Sequence, residues 1–268
     1  MTPTGIVVAF AAIMLSMIMD GGQPASLIKI PALILVFGGT IGATVAGLVG
    51  KDIKALPRAL RVAMKQKTKP APAAFAEHLI QLARDARTGG LKVLERELPE
   101  AQDDPFIRTG VELIATTSDP ERVRQVLEAE ITGLRSRHKL GWKAFADMAG
   151  FAPTIGILGT VIGLVHVLGS LTTPGKLGPA IASAFTATLW GVLSANVIWL
   201  PISNKLRRLS EAEIQYKELV IEGLLAVQEG LSGPQLRDRL VPFLPPRERD
   251  QGESRNGGAA PERSEAAA

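Results

Sequence analysis

The sequence predicts an all-α membrane protein with four transmembrane helices in two hairpins and a helical cytoplasmic domain between spans 2 and 3. The chain of 268 residues is 46% hydrophobic, yet 21% of its residues are charged. Its mean hydropathy is +0.20. The apolar residues are concentrated in four stretches that contain no Asp, Glu, Lys or Arg: Met1–Met19, Ile30–Gly50, Met148–Gly175 and Leu177–Asn204.

Each apolar stretch is long enough to cross a membrane, because about 20 helical residues span a hydrocarbon core of about 30 Å. A core helix of a soluble protein has no reason to be apolar all round over that length. A cleaved signal peptide is the alternative for the first stretch. No Lys or Arg precedes that stretch and no small-residue cleavage site follows it, so we interpret it as a span.

The basic residues predict the orientation, because Lys and Arg concentrate on the cytoplasmic side. They follow span 2, precede span 3 and follow span 4: Lys51, Lys54, Arg58, Arg61, Lys65, Lys67, Lys69, Arg135, Arg137, Lys139, Lys143, Lys205, Arg207 and Arg208. The two other connections contain only Lys29 and Lys176. We therefore expect a multi-pass protein of the plasma (inner) membrane with both termini in the cytoplasm.

The predicted domains follow from these spans. In chain order they are helices 1 and 2 (1–50), a cytoplasmic helical domain (51–143), helices 3 and 4 (144–204), a cytoplasmic C-terminal helix (205–244) and a disordered tail (245–268). The tail is polar and lacks apolar periodicity, which is typical of disorder.

Within the cytoplasmic domain, Asp52–Lys65 predicts a basic amphipathic helix near the lipid headgroups. Apolar spacing predicts helices over Ala73–Arg87 and around Leu91–Leu98. Asp104-Pro105 and Ser118-Asp119-Pro120 are helix-start signals. The helix after the second signal has a predicted apolar face that consists of Val123, Val126, Leu127, Ile131 and Leu134.

Spans 3 and 4 are rich in small residues, which allow helices to approach closely in lipid. In span 3, Gly156 lies four residues before Thr160, and Gly159 four before Gly163. In span 4 the small residues form a stripe: Ala180, Ala184, Thr188, Gly191 and Ala195. These faces predict tight packing of the two spans against each other or against another helix.

Thr160 and Thr188 place two hydroxyls near the middle of these small faces. Each hydroxyl can donate to the carbonyl four residues earlier in its own helix. Alternatively, two facing hydroxyls line a narrow polar path for an ion. No apolar stretch contains the ionisable group that an ion carrier needs at mid-membrane. An ion pathway through this chain would therefore take its titrating group from another chain.

Two prolines lie in the same spans, Pro153 near the inner part of span 3 and Pro201 at the inner end of span 4. A proline lacks the backbone N–H and clashes with the preceding turn, so it loosens a helix or ends it. Helix termination is the simpler interpretation, and it suits Pro201 better than Pro153.

Several function classes are disfavoured. The chain has no cysteine and three scattered histidines, which argues against disulfides and metal clusters. We find no nucleotide-binding loop and no nucleophile–base pair, so we expect neither an enzyme nor a bound cofactor. The net charge of +4 is explained by membrane orientation, so we expect no nucleic-acid partner.

Several segments together resemble the MotA/PomA family of flagellar stator subunits. "FAPTIGILGTVIGLVHVLGSL" and "GPAIASAFTATLWGVLSANVIWLPISNKL" resemble its third and fourth membrane segments, and "IPALILVFGGTIGATVAG" resembles the second. "ARDARTGGLKVLERELPE" and "PFIRTGVELIATTSDPERVRQVLEAEI" resemble its cytoplasmic domain. The resemblance covers roughly Gly5 to Leu209.

The resemblance implies a homopentamer around two copies of a single-span MotB/PomB-type partner, which binds peptidoglycan and carries the membrane aspartate. Flow of H⁺ or Na⁺ would rotate the pentamer, and its cytoplasmic domains would turn a FliG-type rotor protein. Arg87 and Glu95 match the family's rotor-interacting charges, and Pro153 and Pro201 match its conformational-coupling prolines. The positions implied to pack on the partner's helices are Gly156, Gly159, Gly163, Ala184 and Gly191.

The resemblance also bears on the ion. Thr160 and Thr188 fall where sodium-driven members carry threonines, whereas many proton-driven members have Ala at the first position, which favours sodium. The main alternative is a non-flagellar MotA/TolQ/ExbB-type energy-transducing channel, although ExbB and TolQ types have three spans. A passive scaffold would explain the small faces but not two mid-membrane hydroxyls.

Overall fold

The computed structural model describes residues 2–64, 72–89, 104–169 and 174–244. All regular secondary structure in these ranges is helical. Contacts divide the chain into two compact units. The first combines Met1–Lys67 with Arg135–Ser210, and the second combines Thr68–Leu134 with Glu211–Ala268. We call them the membrane unit and the cytoplasmic unit, and the domain boundaries given above remain predictions.

The helices have the following bounds. From the N-terminus they are α1 (Thr2–Met19), α2 (Ile30–Leu33), α3 (Gly39–Ala46), α4 (Gly50–Ile53), α5 (Leu56–Met64), α6 (Pro72–Gly89), α7 (Pro105–Thr116), α8 (Pro120–Leu168), α9 (Pro174–Leu193), α10 (Leu200–Gln228) and α11 (Gly233–Leu240). A π turn, Ile34–Gly38, joins α2 to α3, and another, Ser194–Trp199, joins α9 to α10.

Four apolar helices correspond to the four predicted spans. Two are long enough and apolar enough by themselves to cross a membrane, Pro120–Leu168 and Leu177–Gln228. The shorter pair, Thr4–Met19 and Ile30–Ala46, provides the N-terminal hairpin. The fold class predicted from the sequence, four spans in two hairpins with a helical cytoplasmic domain, is confirmed.

The predicted start signals initiate helices α7 and α8. The Asp104 carboxylate accepts a 3.0 Å hydrogen bond from the Phe106 N–H. The Asp119 carboxylate accepts from the N–H groups of Glu121 and Arg122, at 3.0 and 3.4 Å. In both cases a proline follows the capping residue, at a position where the missing N–H leaves no hydrogen bond unmade.

The core of the cytoplasmic unit is formed by α6, α7, the first part of α8, the last part of α10, and α11. Phe75, Leu79 and Leu127 are fully or almost fully buried there. The apolar face predicted for α8 is confirmed for Val123, Leu127 and Ile131 but is wrong for Val126, which is 42% exposed. Val126 is rotated by roughly a quarter turn from the centre of that face.

Prolines and glycines explain where the observed helices differ from the predicted ones. The helix predicted over Asp52–Lys65 is divided into α4, which ends at Ile53, and α5, which begins at Leu56. Pro57 has no N–H to donate to the carbonyl oxygen of Ile53, four residues earlier, so the hydrogen bonding of α4 cannot continue through it. Pro201 does not end a helix, since α10 extends to Gln228. That helix is followed by Gly230, whose φ of 70° permits the turn into α11.

Two further predictions lie outside the described residues. They are the short helix around Leu91–Leu98 and the disordered tail at 245–268.

Candidate functional site

Spans 3 and 4 pack with their backbones in direct contact, and glycines make this possible. A Cβ added to Gly156 would lie 2.9 Å from the Ala187 carbonyl oxygen, and one added to Gly191 would lie 2.6 Å from the Ala152 carbonyl oxygen. Real Cβ atoms do not approach backbone that closely. The two helices can therefore keep this separation only with glycine at both positions.

The contact continues towards the C-terminal end of span 3. A Cβ on Gly163 would lie 2.4 Å from the Ala184 Cβ, and one on Gly159 would lie 2.6 Å from the Ala187 Cβ and 2.8 Å from Leu35 of span 2. Of the two packing arrangements left open by the sequence, the one between spans 3 and 4 of the same chain is present. The packing of a partner's helix on these positions stays a prediction.

Thr160 and Thr188 meet across this contact, and their hydroxyls are hydrogen-bonded to each other. The Thr160 hydroxyl lies 3.3 Å from the Gly156 carbonyl oxygen, four residues earlier in its own helix, and 3.4 Å from the Ala184 carbonyl oxygen of span 4. The Thr188 hydroxyl lies 3.2 Å from the same Gly156 oxygen. Two hydroxyls and two carbonyl oxygens are thus linked by hydrogen-bond contacts between the two spans.

These hydroxyls cannot make every one of these bonds at once. Each has a single proton, so the pair donates two hydrogen bonds, whereas the geometry offers four donor–acceptor arrangements. The protons can therefore be redistributed among the Gly156 oxygen, the Ala184 oxygen and the partner hydroxyl. Hydroxyl and carbonyl oxygens are also the type of ligand that hard cations take.

The two prolines sit within long helices. Pro153 lies inside α8, one turn before the Gly156 contact. Pro201 lies two residues after the π turn Ser194–Trp199, at the start of α10. A π turn has room for the ring and the missing N–H of a nearby proline, because its hydrogen bonds already depart from the i→i−4 pattern.

An aromatic ladder connects the four spans, and the sequence analysis missed it. Its rings lie in the order Phe10, Trp190, Phe37, Trp199 and Phe145, with successive centroids 6.3, 6.0, 6.2 and 6.4 Å apart. Phe37 lies in one π turn and Trp199 in the other, so both irregular turns meet at this ladder. Aromatic residues separated by whole helical spans leave no signal in local periodicity.

The two tryptophans of the ladder differ in hydrogen bonding. The Trp190 indole N–H donates a 2.8 Å hydrogen bond to the Leu27 carbonyl oxygen, at the end of the 3-10 turn Pro24–Leu27. The Trp199 indole nitrogen is buried without a partner among the described residues. The Trp190 side chain therefore attaches the loop that joins spans 1 and 2 to span 4.

The cytoplasmic unit contains a charge network. Glu222 accepts from Arg124 at 2.5 Å and from Arg239 at 2.8 Å, and Arg239 also contacts Glu229 at 2.6 Å. Burial acts to raise the pKa of Glu222, but the hydrogen bonds and charges of the two arginines outweigh it and lower the pKa. The network holds α8, α10 and α11 together.

The predicted rotor-interacting charges lie at the limit of what the structure describes. Arg87 lies in α6, although its side chain is outside the described part, and Glu95 lies outside it altogether. In the residues that are described, no group of three His, Cys, Asp or Glu side chains could hold a metal ion.

Comparison with known proteins is consistent with this architecture. Residues 3–90 match the motility protein A N-terminal family and residues 99–219 match the MotA/TolQ/ExbB proton channel family. Motility protein A of Bacillus subtilis is 34% identical over 257 residues, which cover 94% of this chain and 95% of the relative. The chain belongs to the motility protein A family. It is accordingly a multi-pass protein of the inner membrane.

Two further comparisons support the assignment. Motility protein A of Cereibacter sphaeroides is 35% identical over 242 residues, covering 88% of this chain and 92% of the relative. The flagellar MotAB stator complex of Bacillus subtilis contains a chain that superimposes with a TM-score of 0.87 at 33% identity. That match covers 92% of this chain and 97% of the other.

Proposed function

We propose that this chain is a flagellar motor stator subunit that forms an ion channel with a MotB-type partner and couples ion flow to torque. Membership of the motility protein A family supports the proposal, as does the likeness to a chain of the MotAB stator complex. The observation that carries the ion-path part is the meeting of Thr160 and Thr188 at the Gly156 oxygen.

The chain's apolar stretches supply oxygen ligands but no ionisable acid. An ion that passed Thr160 and Thr188 would exchange hydration for hydroxyl and carbonyl oxygens, while the group that binds and releases it would belong to the partner's span. Hydroxyl and carbonyl oxygens suit a partly dehydrated cation. The threonine pair therefore favours sodium over protons as the transported ion.

The conversion of ion binding into movement would use the irregular points of spans 3 and 4. Pro153 lies one turn from the Thr160 site, and Pro201 follows a π turn that contacts the aromatic ladder. Interrupted hydrogen bonding makes these points the softest parts of otherwise regular helices. In this proposal the two prolines couple the ion site to the cytoplasmic helices.

The remaining assignments follow the family resemblance and are part of the same proposal. Five copies surround the partner, both termini are cytoplasmic, and Arg87 and Glu95 engage the rotor through charge. If so, reversing either charge reduces motility, and a matching reversal on the rotor protein restores part of it. Full motility with both charges reversed would refute the proposal that Arg87 and Glu95 engage the rotor.

The direct test of stator function is complementation. Cells that build flagella but lack their own stator subunits receive this chain, a MotB-type partner, or both. Rotation with both chains and none with either alone is expected. A complex that assembles in the membrane but leaves the flagella stationary would contradict the proposed function.

A further inference from the structure

Helix α5 is a short helix fixed to the inner end of the membrane unit by one of its faces. Ala63 is fully buried and Leu56 and Ala59 are partly buried against a cluster that includes Trp142 and Phe145. A Cβ added to Gly141 of α8 would lie 3.5 Å from the Ala59 Cβ, in ordinary van der Waals contact. This face determines which side chains of α5 point outward.

The outward face of α5 is apolar next to the buried face and basic beyond it. Leu60 is 39% exposed and Met64 is 48% exposed. Successive residues are about 100° apart around a helix, so Leu60 and Met64 lie side by side and separate the buried face from Arg58 and Arg61. Val62, also 48% exposed, flanks the arginines on the other side.

The arginines have no acid to pair with in the part of the chain that the structure describes. Arg58 and Arg61 are exposed, and neither takes part in a hydrogen bond or ion pair with a described residue. Among residues 50–64 the basic residues are Lys51, Lys54, Arg58 and Arg61, against a single acid, Asp52. The helix therefore presents an uncompensated positive charge beside exposed hydrocarbon.

This combination fits a bilayer surface better than water or another protein. Exposed apolar side chains gain from the acyl boundary, while arginines one turn apart reach the headgroup layer. Guanidinium groups bind phosphate oxygens bidentately. A zwitterionic headgroup adds a positive charge that the arginines repel, whereas an anionic headgroup does not.

We propose that α5 is a binding site for anionic phospholipid of the cytoplasmic leaflet, in which Arg58 and Arg61 hold the phosphate and Leu60 and Met64 contact the acyl chains. The site is built on a helix that is packed against α8 and α10, so it is in place before lipid arrives. Its existence does not depend on which ion the chain transports.

The test is phosphatidylglycerol binding to the protein purified from membranes with its accompanying subunits in an uncharged detergent. The rise in the thermal unfolding midpoint is recorded against the amount of added lipid. Each basic residue at an anionic surface contributes a factor of about five in binding, so Arg58→Gln/Arg61→Gln raises the half-saturating lipid concentration about thirty-fold. Phosphatidylcholine and soluble glycerol phosphate leave the midpoint unchanged.

The matched control is Lys139→Gln/Arg208→Gln, which removes the same charge from exposed positions on α8 and α10. It retains phosphatidylglycerol binding within about three-fold. Equal weakening by both double variants would overturn the proposal, because it indicates diffuse attraction rather than a site. Equal binding of phosphatidylcholine, or competition by glycerol phosphate, would overturn it as well. Unfolding midpoints without lipid establish that all variants fold.

Discussion

Thr188 of span 4 points its hydroxyl at the Gly156 carbonyl oxygen of span 3, 3.2 Å away. That oxygen is also the one to which Thr160 would donate if it bonded only within its own helix. The two hydroxyls and the backbone of both spans therefore form one hydrogen-bonded group. This arrangement depends on the glycines, because no larger residue would let the helices approach so closely.

The first prediction concerns that close approach. Gly163→Ala places a Cβ against Ala184 and is expected to lower the free energy of unfolding by about 1–3 kcal/mol. Gly150→Ala in the same helix meets no atom within 4 Å and is expected to be neutral or slightly stabilising. Thermal unfolding of the purified complex measures both. Adding Ala184→Gly to Gly163→Ala restores only part of the loss, because it removes the Cβ–Cβ clash but leaves the new Cβ 2.9 Å from the Ala184 Cα. Equal effects of the two alanines would refute the packing account.

The second prediction compares the tryptophans of the aromatic ladder. Trp190→Phe removes the hydrogen bond to Leu27, whereas Trp199→Phe removes an N–H without a described partner. The two changes delete the same atoms, so Trp190→Phe is expected to cost about 1 kcal/mol more. Hydrogen exchange at residues 24–30 should accelerate only in Trp190→Phe. Acceleration of the same size in Trp199→Phe would show that ring packing, not the hydrogen bond, holds this connection.

The third prediction concerns acid stability of the cytoplasmic unit. The pKa of Glu222 is lowered, so its contribution to stability is fully present above the ordinary glutamate pKa of about 4.3 and is lost as the pH falls through the lower folded-state pKa. Glu222→Gln is expected to lose about 2 kcal/mol at pH 7 and much less at pH 3. Urea titrations at both pH values measure the difference.

The control for this prediction is Glu128→Gln. Glu128 lies 3.7 Å from Arg124 with its side chain 58% exposed, so its loss is expected to change stability by less than about 0.5 kcal/mol at either pH. An effect of Glu222→Gln that does not shrink at low pH would mean that packing, rather than charge, accounts for its contribution.

The sequence predicted the spans and the helix starts well, because these depend on local chemistry. A charge-free stretch of about 20 residues predicts a span, and Asp followed by Pro predicts a helix start. Both patterns lie within one continuous segment, so they can be recognised without knowing which helices pack against it. The contact between the Thr160 and Thr188 hydroxyls could be predicted only as one of two alternatives. Which faces of spans 3 and 4 meet depends on how their glycines pack, and this cannot be read from either span alone. The Trp190–Leu27 bond joins residues 163 apart, and no local pattern indicates it.

Prolines were the least predictable element. Pro57 divides a helix, whereas Pro153 and Pro201 lie within helices that continue. The difference lies in what surrounds them, because packing between apolar spans stabilises a helix that has lost one hydrogen bond. At Pro201 the preceding π turn also accommodates the ring. Both conditions become visible only when the neighbouring helices are in place.

The most direct test of the central claim is swimming speed against external sodium at fixed proton-motive force, in cells whose only stator is this chain and its MotB-type partner. The matched variants are Thr160→Ala and Thr154→Ala, since the only partner of the Thr154 hydroxyl among the described residues is the Phe151 carbonyl oxygen of its own helix. We predict a steep sodium dependence that Thr160→Ala abolishes and Thr154→Ala retains. Speed that ignores sodium and collapses with a protonophore would contradict the assignment of Thr160 and Thr188 to a sodium path.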